Sequence, residues 1–284
     1  MAPARRGGWT RGMTEMTTVL VTGGTGKTGR RVVRLLRERG VPVRVGSRTG
    51  SPAFDWAVPA TWAQALDGTG AVYLCYQPDL AFPGAVDTVG AFVEQAVKQG
   101  VRRIVLLSGR GEPACAAAER VVRDSGVAWT VVRASFFAQN FSEAFFQPAV
   151  VAGEIVLPVG DAPEPFVDAD DIAEVATVAL TEGGHDGRTY EVTGPRLLSF
   201  AEVAAELTAA TGREIRFTPV TREDYLEALR AEGLPEEFAD LFQMVTDGRN
   251  AYLAYGVRHA LGREPRDFRD YARAAAATGV WSAA

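Results

Sequence analysis

The chain has 284 residues, of which 30 are basic and 35 acidic, and its formal net charge is −5. A hydrophobic content of 47% and a charged content of 23% are typical of a globular protein with an ordinary core. No basic stripe stands out, which argues against a nucleic-acid-binding surface. No apolar run reaches transmembrane length, and the distant Cys75 and Cys115 lack metal-ligand spacing. We therefore expect a cytoplasmic protein without a metal site or a membrane anchor.

Residues 1–16 are predicted to be a disordered N-terminal extension. They contain Arg5-Arg6, but no apolar segment follows before the first strand. A secretory or twin-arginine leader is therefore not expected.

The run from residue 19 to residue 29, VLVTGGTGKTG, carries the strongest functional signal in the chain. An apolar β-type run leads into Gly23, Gly26 and Gly29, and a helix is predicted to follow. A strand that turns over small residues into a helix directs free backbone N–H groups and the positive end of the helix dipole at one point, which suits a pyrophosphate. The motif therefore predicts a dinucleotide site.

A nucleoside triphosphatase loop is the competing interpretation, because Gly26-Lys27-Thr28 resembles the end of G-x-x-x-x-G-K-[ST]. That loop needs a glycine at position 21, where the chain has Val21 inside the predicted strand. The observed spacing G-x-x-G-x-x-G matches the dinucleotide fingerprint with one extra residue in the first gap. A glycine-rich turn without any ligand is the structural alternative.

The end of the second predicted strand bears on which dinucleotide fits. A helix over Arg30–Arg39 and a strand over 41–45 are predicted, and Gly-Ser-Arg-Thr follows at 46–49. An NAD site would place an acid here to bind the ribose 2′-hydroxyl. Instead Arg48 lies 19 residues after Gly29, and a guanidinium suits a 2′-phosphate. We expect NADP(H); the alternative is that Arg48 is an ordinary solvated loop arginine.

Strand and helix patterns alternate up to about residue 135, which predicts an α/β fold of the Rossmann type with a doubly wound parallel sheet. A short third strand is predicted to end at 54–56. Further strands are predicted over 71–76, 103–108 and 129–133, and helices over 85–99 and 114–125. Asp55 is expected either to contact the adenine or to cap the next segment. Since ligands bind at the carboxyl ends of parallel strands, the cofactor is expected across four strand ends. These are Thr22-Gly23, Ser47-Arg48, Tyr76-Gln77 and Ser108-Gly109.

An aromatic cluster begins at Phe136. It is either plain core or the lining of a flat apolar substrate pocket beside the nicotinamide, for which Phe136, Phe137 and Asn140 are the candidates. Residues 165–173 predict a strand and a capped helix start, and Ser199 opens a capping box. The remainder is predicted to be mainly helical with one short strand around 215–217.

Three regions follow from these patterns. They are the extension over 1–16, an NADP-binding Rossmann core over 17–150, and a segment over 151–284 that completes the core and forms a smaller C-terminal α/β substrate lobe.

These segments together resemble the NmrA-like branch of the atypical short-chain dehydrogenase/reductases, and within it the agroclavine and festuclavine dehydrogenases of ergot-alkaloid biosynthesis and their bacterial relatives. The resemblance spans about residues 17–281. The segments that carry it are 19–26, 45–48, 54–56, 103–108, 125–133, 136–141, 165–173 and 190–195.

The resemblance implies an NADP(H) site with contacts from Thr22, Gly23, Thr25, Gly26, Lys27, Thr28 and Arg48. It also places Gln77-Pro78 where relatives approach the cofactor ribose. Members of the branch include quinone, azo-compound and iminium reductases, as well as cofactor sensors without catalysis.

One departure from the wider family concerns catalysis. Short-chain dehydrogenases use a Tyr-x-x-x-Lys pair to pass a proton, but the matching helix here, Pro113–Arg120, has neither residue. An iminium or quinone places a smaller demand on proton transfer, and positioning could contribute most of the rate.

We therefore expect an NADPH-dependent oxidoreductase acting on a small iminium, quinone or azo substrate, as a monomer or homodimer. Ser108 is the weak catalytic candidate, with a strand-end polar group as its structural alternative. The alternative function is a non-catalytic NADP(H)-binding redox sensor.

Overall fold

The computed structural model describes residues 17–143, 146–234, 236, 239–240, 242 and 247–282. The predicted extension over residues 1–16 lies outside the described residues. Six strands form one parallel sheet in the order β2-β1-β3-β4-β5-β7, and two further strands form a separate parallel pair. The strands are β1 (Thr18–Thr22), β2 (Val43–Gly46), β3 (Thr69–Leu74), β4 (Arg103–Gly109), β5 (Ala128–Ala134), β6 (Glu154–Leu157), β7 (Arg188–Val192) and β8 (Arg216–Pro219).

Helices cover both faces of the large sheet, as a doubly wound fold requires. Side chains on one face of the sheet pack with α1 and α6, and those on the other pack with α2, α3 and α4. The predicted Rossmann-type α/β architecture is thereby confirmed. The helices are α1 (Lys27–Glu38), α2 (Trp62–Leu66), α3 (Ala85–Lys98), α4 (Pro113–Arg123), α5 (Gln147–Ala152), α6 (Ala169–Thr181), α7 (Phe200–Thr211), α8 (Arg222–Ala231), α9 (Gly256–Leu261) and α10 (Phe268–Ala277).

The strand β3 shows why the sheet is central. All six of its residues are buried, because helices cover it on both faces and neighbouring strands flank it on both edges. Its carboxyl end therefore opens at the middle of the sheet, beside the turn that follows β1.

A smaller lobe surrounds the pair β6 and β8. Its core is rich in aromatic rings, and α7 packs against α10 within it. Phe166 and Phe200 form an edge-to-face pair with centroids 5.2 Å apart, and Phe268 lies 5.7 Å from Phe166. The predicted capping box is present, since Ser199 accepts from the N–H of Glu202 and the Glu202 carboxylate accepts from the N–H of Ser199.

Two predicted strands are wrong. Residues 54–56 form no strand, because the rings of Phe54 and Trp56 turn into an aromatic cluster with Phe92 of α3. The strand predicted within 165–173 is reduced to an isolated bridge from Val167 to Phe137. The capped helix start there is confirmed, since the Asp168 carboxylate accepts from the N–H of Asp170 at 2.7 Å.

Candidate functional site

The turn after β1, residues 23–29, is closed by backbone contacts that only glycine permits. Gly23 has φ +61°, and its carbonyl accepts from the N–H of Gly26 at 2.9 Å. A Cβ at Gly29 would lie 2.1 Å from the carbonyl oxygen of Gly23. We call these residues the glycine turn.

The glycine turn leaves donors for an anion. The first intrahelical bond of α1 runs from the N–H of Arg30 to the carbonyl of Gly26 at 3.1 Å. The N–H groups of Lys27, Thr28 and Gly29 therefore have no acceptor within the helix, and they lie at its positive end. No acidic side chain lies in the first turn of α1 to compete with a phosphate. These residues fit a pyrophosphate.

A central cavity of about 400 Å³ opens beside the glycine turn. Three of the four predicted strand ends contribute to its lining. Their lining residues are Gly23, Tyr76, Gln77, Ser108 and Gly109, and from the glycine turn Gly26, Lys27 and Thr28 join them.

The other predicted cofactor residues lie outside this lining. Arg48 and Thr25 are exposed at the surface. Ser47 is half-buried after β2. The hydroxyl of Thr22 is buried and bonded to the backbone of Cys75, with which it exchanges bonds of 2.8 and 3.1 Å. Thr22 thus fastens the ends of β1 and β3 together beneath the site.

Asp55 has a local structural partner. Its carboxylate accepts from the backbone N–H of Ala57 at 2.9 Å, which is the capping arrangement that the sequence left open. Its contact with an adenine stays a prediction.

The residues predicted for the substrate pocket come together. Phe136, Phe137 and Asn140 all line the central cavity, with Phe146 and Phe242. We call residues 135–143 the pocket segment.

Two buried polar contacts fix the backbone of the pocket segment. The side chain of Gln139 donates to the Asp168 carboxylate at 2.9 Å and accepts from the N–H of Ala169 at 2.7 Å. The segment is thereby fastened to the start of α6.

Polar contacts also join the pocket segment to the glycine turn and to α1. Lys27 Nζ donates to Asn140 Oδ1 at 2.8 Å, and Arg31 pairs with Glu143 at 2.6 Å. Burial lowers the pKa of Lys27, an effect that the nearby Glu143 partly opposes. An anion beside Lys27 would gain from this partly desolvated charge.

Ser108 lines the cavity, but its proton has a partner. The hydroxyl donates at 2.8 Å to the carboxylate of Glu119, which is 1% exposed. Arg133 and Arg123 also donate to that carboxylate. Burial alone would raise the pKa of Glu119, but its hydrogen bonds and the nearby arginines, Arg133 foremost, lower that pKa below its ordinary value. The bond to Glu119 gives Ser108 a structural role as a polar group at the end of a strand. Its catalytic role stays a prediction.

Two glutamates that the sequence reasoning missed line the same cavity. Burial raises the pKa of Glu112 to about 7, and Asp79 adds repulsion. Burial also raises the pKa of Glu164 to about 7, against the charge of Arg110. Each precedes a proline in the sequence, but this pattern gives no sign of a cavity.

Both cysteines line the cavity. Burial raises the pKa of Cys75 to about 11 and that of Cys115 to about 12, so both are thiols at neutral pH.

Within the described ranges there is no group of three His, Cys, Asp or Glu side chains placed to hold a metal ion. His185 is buried, and its Nδ1 lies 2.9 Å from the Tyr190 hydroxyl. A search of the same residues finds no helix with the length and apolarity to cross a membrane.

A doubly wound parallel sheet, a glycine turn at its first strand and a cavity over its carboxyl edge define a dinucleotide-binding protein. Residues 23–182 match a family described as NAD(P)H-binding, and residues 115–272 match the NmrA-like family. The chain belongs to the NmrA-like family of NAD(P)H-dependent oxidoreductases, as the resemblance predicted.

Named relatives cover nearly the whole chain. The NAD(P)H azoreductase of Xenophilus azovorans is 34% identical in an alignment that covers 91% of this chain and 98% of the relative. The agroclavine dehydrogenase of Claviceps fusiformis is 34% identical over 89% of this chain and 96% of its own length. Among solved structures, an Escherichia coli NADPH-dependent quinone oxidoreductase complexed with NADPH superposes with a TM-score of 0.75 at 21% identity, covering 89% of this chain and 98% of its own.

Proposed function

We propose that the protein is an NADPH-dependent reductase that transfers hydride to a small, flat, unsaturated substrate of the iminium, quinone or azo type. The observation that carries the proposal is that one cavity is lined both by the glycine turn and by the aromatic side chains of the pocket segment. A dinucleotide held at the turn would extend into the same space as a flat substrate held at Phe136 and Phe137. The names of the azoreductase and agroclavine dehydrogenase relatives agree with this range of substrates.

The preference for NADPH over NADH rests on the end of β2. Arg48 follows Gly46 and Ser47 there, and its side chain is exposed and available to a 2′-phosphate. The segment 46–49 contains no carboxylate that would repel such a phosphate.

The proposed chemistry needs no Tyr-Lys pair. The helix α4 has the sequence PACAAAERVVR, without tyrosine or lysine. The bound cofactor supplies the hydride, and an iminium carbon already carries the positive charge that attracts it. The chain then has to orient the substrate and exclude water, which the partly buried Phe136 and Phe137 and the fixed amide of Asn140 support.

The test is NADPH oxidation by the purified protein with a panel of quinones, azo dyes and cyclic iminium salts, repeated with NADH. We expect turnover of at least one class, with a higher kcat/KM for NADPH. Tight NADP(H) binding without turnover of any of them would contradict the reductase. It would favour the second candidate, a non-catalytic cofactor sensor, for which the missing Tyr-Lys pair is the supporting observation.

The remaining expectations belong to the same proposal. The partner is a small molecule rather than nucleic acid, and the protein is a cytoplasmic monomer or homodimer. Residues 17–150 form the NADP-binding core, and residues 151–284 complete that core and form the smaller substrate lobe. Light scattering and limited proteolysis would test the assembly and the boundary.

A further inference from the structure

Glu164 occupies a fixed place in the wall of the central cavity. It lies between β6 and α6, and its side chain is among the cavity lining. Its backbone exchanges hydrogen bonds with Leu198 at 2.9 and 3.0 Å, and only 2% of the residue is exposed. The side chain is therefore anchored at its base and held in a dry environment.

One carboxyl oxygen of Glu164 lacks a partner. Oε2 is buried and makes no hydrogen bond, whereas the N–H of Phe136 stabilises the carboxylate. Among the residues that the structure describes, no basic group forms an ion pair with Glu164. An unsatisfied buried polar atom destabilises the fold, so its position in a cavity wall calls for a ligand.

Arg110, in the loop after β4, is the charged group that acts on Glu164, and its positive charge opposes the rise in the Glu164 pKa. Its two terminal nitrogens are committed elsewhere: Nη1 donates to Ser135 Oγ at 3.0 Å and Nη2 to the carbonyl of Tyr252 at 3.2 Å. Its Nε is buried without a hydrogen bond and lies 3.7 Å from a Glu191 carboxylate oxygen. Arg110 also lies over the ring of Tyr252, at 4.1 Å from the centroid. Because burial outweighs the charge of Arg110, the pKa of Glu164 rises to about 7. Near neutral pH the group can both release and regain a proton, which suits a general acid.

We propose that Glu164 is the catalytic acid that protonates the heteroatom of an azo or quinone substrate, an inference that rests on the reductase function proposed above. In the azo case the N=N π bond breaks. One nitrogen takes the hydride from NADPH with its two electrons, and the other takes the proton of Glu164. The products are the hydrazine, NADP⁺ and the Glu164 carboxylate, which regains a proton from water.

An iminium substrate provides the internal contrast. Hydride addition to an N-alkylated iminium gives a neutral tertiary amine, so no proton is consumed. Azo reduction therefore needs both hydride and proton transfer, whereas iminium reduction needs hydride transfer alone. Comparing the two rates in one protein isolates the proton transfer.

Glu112 is the competing acid, since its pKa is also raised to about 7 in the same cavity. Glu112 is less buried, and the Cys115 thiol lies 3.6 Å from its Oε2. Its carboxyl group therefore has a partner, and the structure favours Glu164.

The experiment compares Glu164→Gln, Glu164→Asp and Glu112→Gln with the wild type, using an azo dye and an N-methylated cyclic iminium. In E164Q we expect the ratio of azo to iminium kcat to fall about 100-fold, the lower range for general acid catalysis. E164D should restore part of that ratio, and E112Q should keep the wild-type ratio. In the wild type the azo kcat should fall as pH rises through about 7, where Glu164 loses its proton, and this alkaline limb should disappear in E164Q.

A second readout does not depend on turnover. Infrared titration of the cofactor-free wild type should show two carboxyl groups that ionise near neutral pH, Glu112 and Glu164. In E164Q the Glu164 signal should be missing and that of Glu112 should remain, and E112Q should show the reverse. Folding of each variant is checked by thermal unfolding.

The outcomes separate the two proposals. An unchanged ratio in E164Q, a loss of the ratio in E112Q instead, or a wild type that reduces the iminium alone would each overturn the role of Glu164. A wild type that reduces none of the substrates would overturn the reductase function itself, and with it the proton transfer.

Discussion

Lys27 and Asn140 stand 113 positions apart in the chain and are joined by a hydrogen bond of 2.8 Å from Nζ to Oδ1. Lys27 begins α1, and Asn140 belongs to the pocket segment. The ion pair between Arg31 and Glu143 reinforces the connection one helical turn further on. The side predicted to hold phosphate and the side predicted to hold substrate are therefore mechanically linked.

Replacing Asn140 by leucine should destabilise the protein. Leucine removes the acceptor of a partly buried ammonium whose pKa burial already lowers, so we expect the free energy of unfolding to fall by about 1–3 kcal/mol. Urea denaturation measures this. The control Asn140→Asp keeps an oxygen acceptor and should lose less, and equal stability of both variants would argue against the contact.

Gly29→Ala should abolish NADPH binding. Its Cβ would overlap the Gly23 carbonyl, 2.1 Å away, so the glycine turn could not keep its shape. Isothermal titration calorimetry measures the binding. The matched control is Gly90→Ala in α3, where the nearest atom is 3.9 Å away. That change should stabilise the fold by about 0.5–1 kcal/mol. Normal binding by the Gly29 variant would remove the phosphate role of the turn.

The first strand and the glycine turn could be predicted because their information is local. The apolar run 19–21 predicts the strand. The glycines are needed because backbone atoms only a few residues away leave no room for a Cβ. The helix, however, begins at Lys27 rather than at the predicted Arg30. Its first turn is polar, so the apolar periodicity appears only from Val32 onward.

Features that depend on distant packing were not predictable in the same way. Three residues at 54–56 are too few to distinguish a strand from a loop, and the burial of Trp56 depends on Phe92 and on a bond from its Nε1 to the carbonyl of Cys75 at 3.2 Å. The raised pKa of Glu164 could not be predicted, because it depends on burial and on Arg110 and Phe136, which belong to other elements of the fold. Ionisation of a buried group is a property of its neighbours, which spacing does not reveal.

Arg48→Asp should weaken NADPH binding far more than NADH binding. The change removes the positive charge expected to bind the 2′-phosphate of NADPH and adds a negative charge that repels it. The 2′-hydroxyl of NADH can instead donate a hydrogen bond to the new carboxylate. Kd values from cofactor fluorescence measure the ratio. Arg120→Asp, an equal charge change at an exposed position on α4, should leave that ratio as it is. An equal loss for both cofactors would show that Arg48 does not discriminate between them.

Glu164 should also shape the pH dependence of stability. Its pKa rises from 4.5 to about 7 on folding, so the folded protein holds this proton to higher pH than the unfolded chain does. The unfolded state therefore binds fewer protons across that window, and the contribution of Glu164 to stability is lost as pH rises from about 4.5 through 7. A shift of this size corresponds to a contribution on the order of 3 kcal/mol.

Glu164→Gln should therefore flatten the fall in unfolding free energy between about pH 5 and about pH 8, measured by urea denaturation at several pH values. Glu206→Gln serves as the control of opposite sign, because the side-chain bond from Arg269 lowers the pKa of Glu206. The stability that Glu206 contributes is lost as pH falls below about 4.5, so its variant should leave the neutral window unchanged. A wild-type slope in E164Q across that window would mean that the Glu164 carboxyl ionises at its ordinary pH and is charged at neutrality, which also removes the proton that the azo reaction needs.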